Sequence, residues 1–125
     1  TVATAIARFQ LKQVTTEGVL AAKGIGLQID NLALSGESYG TSLATVNLST
    51  TLVEGAEDWV CIVHTPATSI EWFVNGVSKG TQTTAANIPS GNSTAGISLV
   101  VSVINGATAA DALFDVGGIL ILQEF

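Results

Sequence analysis

The chain carries few side chains that could perform acid–base or nucleophilic chemistry. His64 is its only histidine and Cys61 its only cysteine. A serine or cysteine nucleophile needs an imidazole base that a third group orients. His64 directly precedes Thr65 and Pro66, so we expect its ring to hydrogen-bond to the backbone of a turn. One histidine and one cysteine are too few for a tetrahedral metal site, and Cys61, inside WVCIV, is predicted to be a buried small apolar residue.

Paired carboxylates are the remaining catalytic possibility. A glycoside hydrolase needs two acids that face each other across a cleft, roughly 5 to 10 Å apart. Glu54, Glu57 and Asp58 in VEGAEDW form the densest acidic cluster, which is typical of a solvated turn. Glu71 stands beside Trp72, and the chain contains no Glu-x-Asp-x-x-Glu run. We therefore expect that the protein is not an enzyme.

Calcium is the metal ion for which the sequence offers suitable ligands. Asp30, Asn31, Asp111 and Asp115 could supply oxygen atoms together with loop carbonyls. None of these loops is dense in acidic residues, so we expect no metal ion and no other cofactor.

The composition favours a protein whose surface is covered by neighbouring subunits. Of 125 residues, 47% are hydrophobic and only 11% are charged, whereas a typical soluble domain is about 25% charged. A small two-layer β protein exposes one face of each sheet, and so few charges cannot cover that area. Because large uncharged surfaces are usually contact surfaces, we expect the chain to assemble with itself. The alternative is a stable monomer with a face rich in serine and threonine.

The net charge of −6 excludes some classes of partner. Binding to nucleic acid requires a basic patch that neutralises phosphates, and the chain has only four Lys and Arg residues. No run of about 18 or more apolar residues occurs, so we expect no membrane-spanning helix.

Alternating apolar residues and frequent β-branched residues predict an all-β chain of nine or ten short strands. The region 57–65 is expected to turn Trp59 toward the core, and the apolar run 96–104 is expected to be a central strand covered on both faces. The strongest turn signal is Asn75-Gly76, because a type I′ hairpin needs positive φ at both central residues. The predicted strands lie in 1–14, 24–34, 41–50, 57–65, 68–76, 77–84 and 96–104, with one long or two short final strands in 112–125; further turns are predicted at SGESYG (35–40) and at 105–111.

These segments indicate a single domain, residues 1–125, with the turn spacing of a sandwich or barrel. Their order resembles the concanavalin A-like (laminin-G-like) jelly-roll domains of many phage and bacterial extracellular structural proteins. In that family a strand that starts at a Trp precedes a strand ending in aromatic-x-Asn/Asp-Gly, then a second strand, an Asn-Ile-Pro bend, an apolar strand and a closing strand. The resemblance covers about residues 24–125, and the matching residues are Trp59, Phe73, Asn75, Gly76, Asn87, Ile88, Pro89 and Asp115.

The resemblance implies an antiparallel β-sandwich of jelly-roll topology. The chain is shorter than fuller members of the family, so we expect residues 1–14 to form an edge strand or a strand exchanged with a neighbour's sheet. Trp72 and Phe73 alternate along one strand, so one should face the core and the other the outside.

Composition and resemblance together predict a non-catalytic structural protein of a repeating assembly. We expect a phage capsid-decoration or tail component, or the subunit of an extracellular filament, located in a virion or at a cell surface. Its partners would be further copies of itself and, in a virion, capsid or tail proteins. The candidate interface residues are Val2, Ile6, Phe9, Trp72, Phe73, Ile119, Ile121 and Phe125.

The alternative is a carbohydrate-binding, lectin-like module. Such a module needs an exposed aromatic ring and polar groups that read hydroxyls, and Tyr39 and Trp72 are the candidate glycan contacts. Asn47 and Asn92 each begin an Asn-x-Ser/Thr sequon, so both are candidate N-glycosylation sites.

Overall fold

The computed structural model describes residues 6–13, 19, 22–53, 55–90, 98–104 and 116–121. The described part is all-β, as the sequence predicts. Val2, Glu54, Asn92, Asp111, Asp115 and Phe125 lie outside the described residues. The strands are β1 (Ile6–Lys12), β2 (Gly24–Asp30), β3 (Ala33–Tyr39), β4 (Leu43–Thr51), β5 (Val60–Thr65), β6 (Ser69–Val74), β7 (Val77–Gln82) and β8 (Ser98–Ile104), with a 3-10 turn at Ala85–Asn87 between β7 and β8.

Two antiparallel sheets pack together as a β-sandwich. The large sheet has the order β4-β3-β2-β1-β8, and the small sheet has the order β5-β6-β7. β1 lies between β2 and β8, with Phe9 paired to Leu27 on one side and to Val101 on the other. Residues 6–12 are therefore an inner strand of this chain's own sheet. Exchange of residues 1–14 between copies stays a prediction.

The core fills the space between the sheets, and Trp72 lies at its centre. The indole is fully buried, and its Nε1–H donates a hydrogen bond to the Gly26 carbonyl oxygen at 3.1 Å. A Cβ atom at Gly36 would overlap the indole ring, so only glycine fits there. The buried apolar residues are Ala7, Ile29, Leu34, Leu48, Ile70, Trp72, Val74 and Ile88.

This packing explains why two predictions for residues 24–40 are wrong. The sequence predicts one strand over 24–34 and a turn at SGESYG, whereas residues 24–30 and 33–39 form separate strands. They are joined by a two-residue turn at Asn31 and Leu32, with φ of 46° and 69°. SGESYG instead falls largely within β3. Its Gly36 serves packing and not a turn, because the Trp72 ring occupies the space that a larger side chain would need. Tertiary packing here outweighs the local turn preference of glycine and serine.

The prediction that residues 96–104 form a fully covered central strand is also wrong. Among the described strands, β8 is at the edge of the large sheet, and Leu99, Val101 and Val103 are 42–47% exposed. The cause is the unequal size of the sheets: β7 packs on β4, where Gly80 lies close to Val46 and Leu48, so the small sheet begins at the far edge from β8. The described part of the final segment, 116–121, forms no strand.

A row of buried polar side chains lies on the face of β1 that points away from the small sheet. Alternation of the apolar Ala7, Phe9 and Leu11 with Arg8, Gln10 and Lys12 is the pattern of a half-buried strand. All three polar side chains are nevertheless at least nine-tenths buried. Arg8 Nε donates to Glu37 Oε1 at 3.3 Å, Gln10 Nε2 donates to Glu37 Oε2 at 2.7 Å, and Lys12 Nζ donates to Gln10 Oε1 at 2.8 Å. Gly26, which lies between Gln10 and Glu37 in the register, leaves room for the glutamine to reach across β2.

Candidate functional site

An apolar surface covers one end of the outer face of the small sheet. Strand alternation turns Val60 and Ile62 toward the core and Cys61 and Val63 outward, and Cys61 pairs directly with Phe73 of β6. These outward residues, together with Trp59 and Gly76, line an open depression. We call this surface the outer patch, and it consists of Trp59, Cys61, Val63, Phe73 and Gly76.

The hairpin between β6 and β7 fixes the position of Trp59. The predicted Asn75-Gly76 turn is confirmed, with φ of 50° at Asn75 and 81° at Gly76. Asn75 binds both backbone polar groups of Trp59, the residue that precedes β5. Its Oδ1 accepts the Trp59 N–H at 3.0 Å, and its own backbone N–H donates to the Trp59 carbonyl at 2.9 Å. A Cβ at Gly76 would be 3.6 Å from the indole, so the ring rests against the turn.

The acidic neighbour of Trp59 is bound by the same asparagine. Asn75 Nδ2 donates to Asp58 Oδ1 at 2.7 Å. Asp58 is exposed, as predicted for a solvated turn, while it makes this bond. These bonds hold the backbone of a tryptophan whose side chain is 59% exposed, so a large apolar ring is presented to solvent beside the turn.

The expectation that Trp59 and Cys61 are buried is wrong, since both are exposed. The period-2 pattern correctly predicts that Trp59, Cys61 and Val63 share a face, but alternation alone does not say which face points inward. Trp72 of the neighbouring strand already fills the core opposite Ile62. Because Trp72 occupies this space, the second tryptophan, Trp59, lies on the outer side.

The predicted interface residues differ in how far they are exposed. Phe73 is half-buried in the outer patch, as expected for an outward aromatic. Trp72 has no exposed surface, so it cannot touch a glycan or a neighbouring subunit in this structure. Ile6 and Phe9 are half-buried on β1.

Four further predicted site residues lie outside the outer patch. Ile119 and Ile121 are about half exposed in the segment 116–121. Tyr39 is half-buried at the end of β3. Asn47 is exposed on β4, where its Oδ1 accepts the Ser49 N–H at 2.7 Å.

His64 and Glu71, which the sequence offers for acid–base chemistry, each have a hydrogen-bond partner within the fold. His64 Nε2 lies 3.0 Å from the Pro89 carbonyl oxygen, which confirms the expected backbone hydrogen bond. Glu71 accepts a hydrogen bond from the Ser78 hydroxyl on the outer face. Within the described ranges, no group of three or more His, Cys, Asp and Glu side chains could hold a metal ion. None of the helices described is long and apolar enough to cross a membrane.

Comparison with known proteins assigns no family to this chain. No protein-family model matches it, and no curated protein matches it. We therefore infer its role from its own residues, and in particular from the outer patch.

Proposed function

We propose that the chain is a non-catalytic structural protein that assembles through repeated contacts between copies. The observation that carries the proposal is the outer patch. Asn75 holds the backbone of the exposed Trp59 beside a depression whose lining contains no charged residue. Tryptophan is enriched at the centres of protein interfaces, and rigidly held aromatic residues contribute affinity because little freedom is lost when they bind.

The energetics favour repetition over a single strong contact. Stable interfaces bury about 800 Å² per partner, and each Å² of buried apolar area contributes about 25 cal/mol. Lost translational and rotational freedom offsets much of that gain. Several copies held together by more than one contact each gain from effective concentration, which suits a shell, ring or fibre.

We further infer a concanavalin A-like jelly-roll and a place in a virion or at a cell surface. Support comes from the confirmed hairpin at Asn75-Gly76 and from the bend after β7, where Ile88 is buried and the Pro89 carbonyl meets His64. The specific role is a phage capsid-decoration or tail component, or a filament subunit. Partners would be further copies and, in a virion, capsid or tail proteins.

A glycan-binding role is the second candidate, and the exposed Trp59 is the observation that favours it. Because Trp72 is buried, Trp59 would have to supply the aromatic platform. Sugar recognition also needs polar groups that read hydroxyls, whereas Trp59, Cys61, Val63, Phe73 and Gly76 offer very few. This lining favours an apolar protein partner over a sugar.

Cys61 allows the proposal to be tested on the unaltered chain. It is the only cysteine, it is exposed, and it lines the outer patch. We expect its reaction with a maleimide to slow markedly as protein concentration rises, because assembly covers the patch. The unfolded chain in denaturant, labelled at the same concentrations, is the control. Equal reactivity of the folded chain at every concentration would contradict the proposal.

A further inference from the structure

The hairpin turn between β6 and β7 contains a dipeptide that can change its own covalent structure. In an Asn-Gly sequence, the backbone nitrogen of the glycine can attack the Cγ atom of the asparagine, because glycine has no side chain that shields this nitrogen. Asn75 and Gly76 form such a pair, and both are exposed in the turn. The sequence contains a second pair, Asn105-Gly106, which lies outside the described residues.

The reaction is a deamidation that consumes water and releases ammonia. The Gly76 nitrogen forms a bond to Cγ of Asn75, the bond between Cγ and Nδ2 breaks, and Nδ2 leaves as ammonia with the proton that Gly76 gives up. Water then opens the resulting cyclic imide at either of its carbonyl groups. One opening leaves aspartate at position 75, and the other leaves isoaspartate, in which the backbone runs through Cγ.

The folded hairpin opposes this reaction in two ways. The cyclic imide fixes the ψ angle of Asn75 at a strongly negative value, whereas a turn with positive φ at both central residues needs a positive ψ there. The reaction also expels Nδ2, which donates to Asp58 Oδ1 at 2.7 Å, and makes Cγ tetrahedral while Oδ1 accepts the Trp59 N–H at 3.0 Å. Ring closure therefore requires local opening of the hairpin.

We propose that Asn75 is a modification site: the fold suppresses its deamidation, and the product no longer supports the outer patch. In aspartate, an oxygen replaces the nitrogen that donates to Asp58, so two carboxylates face each other and repel. In isoaspartate, the longer backbone disturbs the hairpin register, in which Val74 pairs with Val77. Either product adds a negative charge beside Trp59, and burying an unpaired charge in an apolar contact is costly.

Only the consequence of this modification rests on the proposed self-assembly. The chemistry at Asn75 depends on the hairpin, whereas a loss of assembly depends on the outer patch being the contact surface. Because the change is covalent, a chain that reacts while its hairpin is open would not rejoin the assembly after refolding.

Peptide mapping of the purified chain tests the chemistry. The chain is kept at mildly alkaline pH, which favours loss of the Gly76 amide proton, with and without denaturant, and both products are quantified at positions 75 and 105. Asn105 is the reference in denaturant, because Ile104-Asn105-Gly106 closely matches Val74-Asn75-Gly76. We expect similar rates at the two positions in denaturant, and a rate at Asn75 that is at least several-fold lower in the folded chain.

Asn75→Asp, the permanent product, tests the consequence. Asp-Gly pairs also form type I′ turns, so this variant should fold. Sedimentation velocity should show a shift from assembled species to single chains, whereas Asn31→Asp should leave assembly intact. Asn31 is the matched control because it is exposed, has positive φ in the turn between β2 and β3, and would receive the same charge outside the outer patch.

Three outcomes separate this inference from the proposed function. A rate at Asn75 in the folded chain equal to that in denaturant would overturn suppression by the fold. Assembly of the Asn75→Asp chain like that of the unaltered chain would overturn the consequence, while concentration-dependent protection of Cys61 would leave the proposed function standing. If the unaltered chain never assembles, the proposed function is wrong, and the rate at Asn75 still decides the chemistry.

Discussion

Asn75 performs two tasks that are usually assigned to different residues. It adopts the positive φ that the hairpin requires, and its backbone and side chain bind both polar groups of the Trp59 backbone. The side-chain NH2 group in addition donates one hydrogen bond to Asp58 Oδ1. The turn and the outer patch are consequently one structural unit, and the Asn75-Gly76 pair positions the backbone of the exposed tryptophan.

At the residue scale, Trp59→Lys should abolish assembly without unfolding the chain. The ring is 59% exposed, so its removal costs the core little, whereas a lysine places a charge in an apolar contact. Sedimentation velocity should show a shift from assembled species to single chains, with an unchanged circular dichroism spectrum. Val53→Lys is the matched control, because Val53 is 66% exposed outside the outer patch and its change should leave assembly intact. Equal effects of the two substitutions would show that the outer patch has no special role.

At the scale of strands, local pattern predicts some elements well and others poorly. The segments of β4 to β7 are predicted from alternation and turn residues, and the Asn75-Gly76 turn from its chemistry. β3 is not predicted, because SGESYG has the composition of a turn. The presence of Gly36 is explained by its packing against Trp72, which lies 36 positions away in the sequence. The faces of β5 and the edge position of β8 depend on how the sheets overlap, which period-2 patterns do not contain.

Gly36→Ala tests the packing that places β3 in the sheet. The new methyl group would overlap the buried indole of Trp72, and overpacking of this kind typically costs about 1–3 kcal/mol. Urea unfolding at low protein concentration should show a lower midpoint with a similar slope. Gly117→Ala is the control, because a Cβ there has no atom within 4 Å. A midpoint for Gly36→Ala equal to that of the unaltered chain would mean that the ring does not lie against β3.

At the scale of the whole molecule, apolar surface is divided between two regions with few charges to separate copies. The outer patch lies on the small sheet, and the exposed side chains of Leu99, Val101 and Val103 lie on β8 of the large sheet. The 11% charged fraction and the excess of large exposed apolar side chains agree with each other. The sequence predicts this shortage of charge directly, but the location of the two regions follows only from the relative size and overlap of the sheets.

The native mass of the purified chain, measured by light scattering over a wide range of concentrations, tests self-assembly most directly. We predict a mass that is a multiple of the 12.7 kDa chain and that falls toward one chain on dilution, because each contact is individually modest. A mass of one chain at every concentration, including high concentrations, would contradict the account.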